Sequence, residues 1–187
     1  MSALAELFGR IDRPVDSRLS AWEDQVTGWC RVYCEHVVEA ELSEINLDVA
    51  VFVFDHTAER VVLAYAISIE QLTKRDSSRI RGFPNVNASV KNVLGAKAFT
   101  ADKGHFLGHA SGGVLDINLF PQRRELNRGW SPEGKRFRRM ERYVAEHAGT
   151  FFYHRPQYDD DTWIPNSLEY GVLPADAAWW VDTFKNK

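Results

Sequence analysis

Four glycines in the stretch DKGHFLGHASGG, residues 102–113, exclude a regular helix from the middle of this chain. Each glycine inside a helix costs about 1 kcal/mol relative to alanine, so the segment is expected to be strand or loop. His105 directly follows a glycine and His109 comes four residues later. This pattern leaves a metal site, a catalytic base and a tight structural turn as the candidates. The glycines are Gly104, Gly108, Gly112 and Gly113.

Hydrophobic patterns before and after this stretch predict both helices and antiparallel strands. Apolar residues recur every three or four positions over residues 17–41, which indicates an amphipathic helix. The segments at 48–55 and 60–69 are rich in β-branched and aromatic residues and predict an antiparallel hairpin. Residues 75–87 are expected to form a loop. With no regular βαβ alternation, the predicted class is α+β, with a mixed, mainly antiparallel sheet flanked by helices.

The second half of the chain continues this mixture. Pro121 favours the first turn of a helix, and residues 133–149 have helical spacing and end at a glycine. The segments at 150–158 and 167–173 predict two further strands. A length of 187 residues, with 44% hydrophobic residues, predicts one domain with one core. Within it, residues 1–98 are expected to supply a helix and hairpin, and residues 99–172 the chemistry.

Several classes of protein are disfavoured by composition. No run of 18 apolar residues occurs, so no membrane span is expected. The start of the chain lacks the features of a Sec signal peptide, which predicts a cytoplasmic protein or one delivered by a signal-independent secretion system. Cys30 and Cys34 are interpreted as reduced thiols on a helix face, because two cysteines do not suggest a disulfide framework.

Charge is unevenly distributed along the chain. Residues 123–142 contain eight basic residues and three glutamates, a formal charge of +5, whereas the whole chain carries −3. A basic segment on an acidic body is typical of binding to a polyanion, although a solvated helix face gives the same pattern.

A zinc protease is disfavoured by one residue. His105 and His109 have the i, i+4 spacing of a helical zinc site, but that motif requires glutamate directly after the first histidine, where this chain has Phe106.

The polar residues further along the chain suit a phosphodiesterase better. An asparagine oxygen is a hard, neutral ligand suited to Mg²⁺, and a neutral histidine can take a proton from water. Arg123 and Arg124 precede Asn127 by three or four residues, so on a helix they would share its face and could bind neighbouring phosphates.

The ordered series D-K-G-H, G-G, I-N-L-F-P-Q, L-N-R-G-W and R-R-M-E, over roughly residues 100–172, resembles a known family. It is similar to the DNA/RNA non-specific endonucleases of the His-Me finger (ββα-metal) superfamily, and most of all to their bacterial, toxin-like branch. The resemblance implies a ββα-metal core and an endonuclease that depends on Mg²⁺, with Mn²⁺ as a substitute.

The resemblance also implies a role for each matching residue. His105 would be the general base, Asn127 the metal ligand, and Glu141 the acid that holds a metal-bound water, with Glu133 as its rival. Asn118 and Gln122 would shape the site, and Gly104 would allow a close approach of the strand. The expected phosphate contacts are Lys103, Arg123, Arg124 and Arg128.

Two positions depart from the family pattern. Lys103 replaces an arginine, which keeps the charge but loses the two-pronged hydrogen bonding. His109 has no counterpart; a local structural hydrogen bond is the role expected for it, with a phosphate contact or a place in the metal site as the alternatives.

The sequence therefore predicts an enzyme that cleaves DNA and RNA with little sequence preference, because phosphate contacts carry no direct sequence information. If the protein is an antibacterial toxin, the resemblance also implies an immunity protein as partner; the biological rival is a housekeeping nuclease. The alternative from another class is a module that binds nucleic acid or a protein partner on an inactive nuclease fold.

Overall fold

The computed structural model describes residues 16–70, 85–113, 116–174 and 178–187, with side chains from residue 22 onward except at residue 116. The N-terminal segment that bears on the signal-peptide prediction, and most of the loop predicted at 75–87, lie outside the described residues. Within the described part of the chain, no helix is long and apolar enough to cross a membrane.

A six-stranded antiparallel sheet forms the centre of the structure, with strand order β1-β2-β3-β6-β7-β8. The predicted hairpin, the two predicted later strands and the α+β class are confirmed. Strands β1 and β8 were not predicted. The strands are Leu42–Leu47 (β1), Ala50–Asp55 (β2), Arg60–Ile67 (β3), Phe151–Gln157 (β6), Ser167–Leu173 (β7) and Trp180–Lys185 (β8).

Both faces of this sheet are covered, which explains why every residue of β3 is buried. Helix α1 (Asp16–His36) covers one face, where Trp22 and Val26 pack against Tyr65 and Tyr153. On the other face, Phe137, Met140 and Val144 of helix α4 (Pro132–Glu146) pack in the larger core with side chains of the sheet. The helices predicted at 17–41 and 133–149 are thus confirmed, although each ends earlier than expected.

A separate two-stranded hairpin lies on the α4 side of the sheet. Strand β4 (Ala101–His105) pairs antiparallel with β5 (Leu119–Arg123), and the short helix α3 (Arg124–Asn127) follows. Helix α2 (Val86–Leu94) precedes the hairpin and contacts β4. The chain thus runs strand, strand, helix through the region that contains the predicted site.

The prediction that Pro121 begins a helix is wrong, because Pro121 lies in β5 opposite Lys103. Proline lacks a backbone N–H and is tolerated in an edge strand, and both strands of a two-stranded sheet are edges. The Pro121 carbonyl accepts a hydrogen bond from Asn186 Nδ2 at 3.1 Å, which ties the hairpin to the C-terminal end of the chain.

Candidate active site

His105 is the last residue of β4 and stands opposite Leu119 at the end of the hairpin where the connecting loop begins. The residue before it must be small, because a Cβ atom on Gly104 would lie 2.4 Å from Cβ of Gln122. The next two residues, Phe106 and Leu107, are buried in the core. The His105 side chain is therefore fixed between a tightly closed hairpin and an anchored loop.

Asn118 holds the backbone that follows His105. Its side-chain oxygen accepts a hydrogen bond from Leu107 N, and its side-chain nitrogen donates one to Leu107 O, both at 2.8 Å. Its own carbonyl accepts from Phe106 N at 3.0 Å. A buried asparagine with these partners shapes the loop and does not face a ligand.

The glycines at the end of this loop turn the chain back on itself. Gly112 has φ 94°, a left-handed conformation that favours glycine. Gly113 N donates to Gly108 O at 2.9 Å, and a Cβ atom on Gly113 would lie 1.9 Å from Leu107 O. The turn includes His109, which begins a short 3-10 helix.

A cavity of about 400 Å³ opens beside His105, between this loop, helix α4 and strands β6 and β7. Its polar lining combines three imidazole rings, two guanidinium groups and one carboxylate. The described lining residues are His105, Gly108, His109, Ala110, Ser111, Arg138, Glu141, Arg142, Ala145, His154 and Tyr170.

Glu141 is the acid that the fold brings to His105. Its Oε1 lies 3.9 Å from His105 Nδ1, and the two side chains are 14% and 18% exposed. Its other oxygen, Oε2, accepts a hydrogen bond from Arg138 Nη1 at 3.0 Å. Helix α4 fixes this geometry, because its buried stripe of Phe137 and Met140 orients the neighbouring turn.

Glu133, the alternative acid, makes structural contacts outside the cavity. Its Oε2 accepts from Arg123 Nη2 at 2.6 Å, and its Oε1 accepts from Lys185 N at 2.6 Å. Glu133 therefore joins the start of α4 to β5 and β8, and it does not line the cavity.

His154 forms part of the cavity wall and was not identified from the sequence. It lies on β6, almost completely buried, with its ring centroid 4.0 Å from that of Tyr170. Burial, and to a smaller extent the neighbouring His105, lower the pKa of His154 to about 3, against a smaller opposing effect of the Phe106 backbone. Neither ring nitrogen has a partner of ordinary hydrogen-bond geometry within the described residues. The cavity therefore contains a neutral imidazole next to His105.

His109 lines the same cavity as His105. The local hydrogen bond expected for it is not seen at Nε2, which is buried and has no partner in the described part of the chain. Its position places a second imidazole at the wall of the site.

Three arginines expected to contact phosphate are engaged in ion pairs. Arg124 Nε donates to Asp102 at 3.0 Å, and Arg128 donates to both oxygens of the same carboxylate. Burial raises the pKa of Asp102, but the hydrogen bonds from Arg128 and Arg124 outweigh it, so the pKa lies below its ordinary value. Arg123 pairs with Glu133. Two guanidinium groups around one ionised carboxylate still leave a formal charge of +1.

Arg142 differs from these three residues. It is exposed at the cavity, one position after Glu141, and has no acidic partner within the described ranges. Neither Arg142 nor Arg138 was singled out from the sequence. Helical spacing was the available signal, because Arg138 lies three residues before Glu141 and four before Arg142 on the same helix.

Asn127, Gln122 and Lys103 lie outside the described lining of the cavity. Asn127 is the half-exposed last residue of α3, which contacts both β4 and α4. Gln122 is fully buried beneath Gly104, and its amide has no hydrogen-bond partner within the described residues. Lys103 lies two residues before His105 on β4, so the two side chains point to the same face.

A divalent ion would find few protein ligands here. Within the described ranges, no group of three or more His, Cys, Asp or Glu residues is arranged to hold a metal ion. Glu141 Oε1 faces the cavity as a single hard, anionic donor, and Asn127, outside the cavity lining, offers a neutral oxygen at the end of α3. This sparse donor set fits Mg²⁺, which usually keeps several waters and takes one or two carboxylates plus substrate phosphates.

Comparisons with known proteins find a weak structural similarity. No family model matches the chain, and no curated protein matches it. One similar solved structure is described as the EndoG/EndoGI complex and the mechanism of EndoG inhibition. The similarity covers 77% of this chain and 74% of that chain at 15% identity, with a TM-score of 0.48.

Proposed function

We propose that the protein is a metal-dependent endonuclease that hydrolyses phosphodiester bonds of DNA and RNA with little sequence preference. The observation that carries the proposal is the pairing of His105 with Glu141 inside a cavity that also presents Arg142. A base, a carboxylate and a guanidinium with no acidic partner among the described residues are groups that can promote phosphodiester hydrolysis.

His105 is the general base in this proposal. The 3.9 Å between His105 Nδ1 and Glu141 Oε1 exceeds a direct hydrogen bond, and Nδ1 is buried, so the carboxylate acts on the ring through its charge. His105 takes a proton from a water in the cavity, and the water oxygen forms a bond to phosphorus. The bond from phosphorus to the 3′ oxygen breaks, and the departing oxygen takes a proton from solvent.

Asn127 and, through water, Glu141 are the residues proposed to hold Mg²⁺ or Mn²⁺, which when bound supplies positive charge next to the phosphate oxygens. Arg138 holds one oxygen of Glu141 and leaves the other directed at His105. The neutral ring of His154 adds no charge that would repel the metal.

Substrate binding depends on basic groups at the site. Arg142 is the first candidate for a phosphate contact, because no ion pair in the described residues neutralises it. Arg124, Arg128 and Lys103 remain proposed contacts, with the two arginines contributing the surplus charge around Asp102. Contacts to phosphate alone favour low sequence preference.

Digestion of supercoiled plasmid and of RNA, with Mg²⁺, Mn²⁺ or EDTA, tests the proposal. EDTA should stop cleavage at once, and added Mg²⁺ or Mn²⁺ should restore it without refolding, since the ion is loosely held. Asn127→Ala should behave like EDTA treatment while nucleic acid still binds. Activity that survives both treatments would mean a metal-independent mechanism, and binding without any cleavage would favour an inactive binding module.

A further inference from the structure

Trp130 is an exposed tryptophan that the proposed mechanism does not use. Its side chain is 61% exposed, the largest exposure of any described aromatic residue. Trp179, the other strongly exposed tryptophan, stacks on Trp22 with 5.2 Å between ring centroids. Trp130 contacts no aromatic ring in the described part of the chain; the guanidinium carbon of Arg128 lies 5.0 Å from its ring centroid.

The turn that carries Trp130 is tightly built. Trp130 N donates to Glu125 O at 3.0 Å, and the preceding Gly129 has φ 69°. The following Ser131 accepts from Gly134 N at 2.9 Å and so begins α4. A Cβ atom on Gly134 would lie 2.4 Å from Glu125 O, so the two helices meet closely at this turn. The exposed ring is therefore presented by a fixed backbone.

The surroundings of Trp130 are basic and are tied by an ion pair to the strand that ends at His105. The turn begins directly after Asn127, the last residue of α3. Arg128 lies against the indole and also pairs with Asp102, whose single carboxylate is shared with Arg124. Asp102 belongs to the same five-residue strand as His105. A flat aromatic surface and a surplus positive charge thus lie together beside β4.

We propose that Trp130 and Arg128 form a platform on which a nucleobase of the substrate strand stacks while its phosphate is held nearby. This inference rests on the proposed nuclease function and identifies how the nucleic-acid strand is bound. Stacking on an aromatic ring is available to every base, so it adds affinity without sequence preference. Arg128 contributes through its charge and through its contact with the ring face.

Binding of two single strands of equal length separates stacking from phosphate attraction. One is a fluorescent oligothymidine, and the other has the same phosphates but abasic sugars throughout. Both are titrated in EDTA, which prevents cleavage, with the wild type, Trp130→Ala, Trp130→Phe and the control Trp179→Ala. Urea unfolding of each variant checks that the fold is retained.

Trp130→Ala should weaken binding of oligothymidine by about 5- to 100-fold and leave binding of the abasic strand unchanged. Trp130→Phe should retain most of the affinity, and Trp179→Ala should bind as the wild type does. Equal affinity of Trp130→Ala and the wild type for oligothymidine, or an equal loss on both strands, would overturn the platform. If the wild type cleaves nucleic acid but Trp130→Ala binds normally, only this inference fails. If the wild type neither binds nor cleaves nucleic acid, the proposed function fails with it.

Discussion

Nδ1 of His105 and Oε1 of Glu141 lie 3.9 Å apart, although the two residues, one on a hairpin strand and the other on a helix, are separated by 36 positions in the chain. Gly104 and Asn118 fix the first residue, and the buried stripe of α4 orients the second. This pair links the fold to the proposed hydrolysis.

The first prediction concerns the acid. Glu141→Gln should reduce cleavage by about 10- to 100-fold, because the neutral amide no longer orients or polarises the imidazole of His105. Glu133→Gln is the matched control on the same helix, since it removes the negative charge that pairs with Arg123 but leaves the cavity intact. The measurement is the initial rate of plasmid nicking by each of the two variants. A larger rate loss in Glu133→Gln than in Glu141→Gln would reverse the assignment of the two acids.

The second prediction compares the two histidines of the glycine-rich segment. His109→Ala should lose some activity, because it removes one wall of the cavity, but far less than His105→Ala does. Cleavage rates and urea midpoints of both variants are the measurements. If both variants are folded and equally inactive, His109 takes part in the chemistry directly.

The third prediction concerns Arg142, which has no acidic partner among the described residues. Arg142→Ala should raise KM for DNA and lower the slope of log binding constant against log salt concentration by about 1, as expected for one lost phosphate contact. Arg139→Ala removes the same charge from the same helix, but Arg139 lies over Trp180, with 5.3 Å from its guanidinium carbon to the ring centroid. A salt dependence that changes equally in both variants would show that only net charge matters.

The fourth prediction concerns stability in acid. The pKa of His154 is about 3 in the folded protein, below the ordinary histidine value of 6.5. The unfolded chain therefore binds more protons between these pH values, so the free energy of unfolding should fall as pH drops from about 6.5 towards 3. His154→Phe should flatten this fall, whereas Tyr170→Phe, which alters the same cavity but keeps His154, should retain it. Urea unfolding at pH 7 and pH 5 provides the comparison, and an equally steep fall in His154→Phe would refute the explanation.

The regular elements were predictable where burial and periodicity agree. Strands β2 and β3 are continuous apolar runs because both sheet faces are covered, and α4 has a clear buried stripe. Strand β1, LSEINL, was missed because half-exposed residues give it no strong apolar signal. Pro121 was misassigned because a proline suits an edge strand as well as a helix start, and only the pairing with β4 distinguishes the two.

The site was predictable only in part, because it depends on tertiary geometry. The glycines near His105 indicated a close backbone approach, but the choice between Glu133 and Glu141 required the orientation of α4. His154 lies 49 residues after His105 in the chain. The sequence feature that could have pointed to it is a polar side chain in a strand that is otherwise buried. The sequence did not show that Arg123, Arg124 and Arg128 form ion pairs, because their acidic partners are not adjacent to them in the chain.

The rate of plasmid nicking by His105→Ala, measured beside the wild type in Mg²⁺, tests the central claim most directly. Removal of a general base should slow cleavage by about 10²–10⁴-fold, while circular dichroism and the urea midpoint show a folded protein. His56→Ala is the control, because that ring lies at β1, where it contacts Ser43 at 2.7 Å, away from the cavity. The control should nick plasmid at the wild-type rate. An unchanged rate in folded His105→Ala would contradict the assignment of His105 as the base and, with it, the proposed active site.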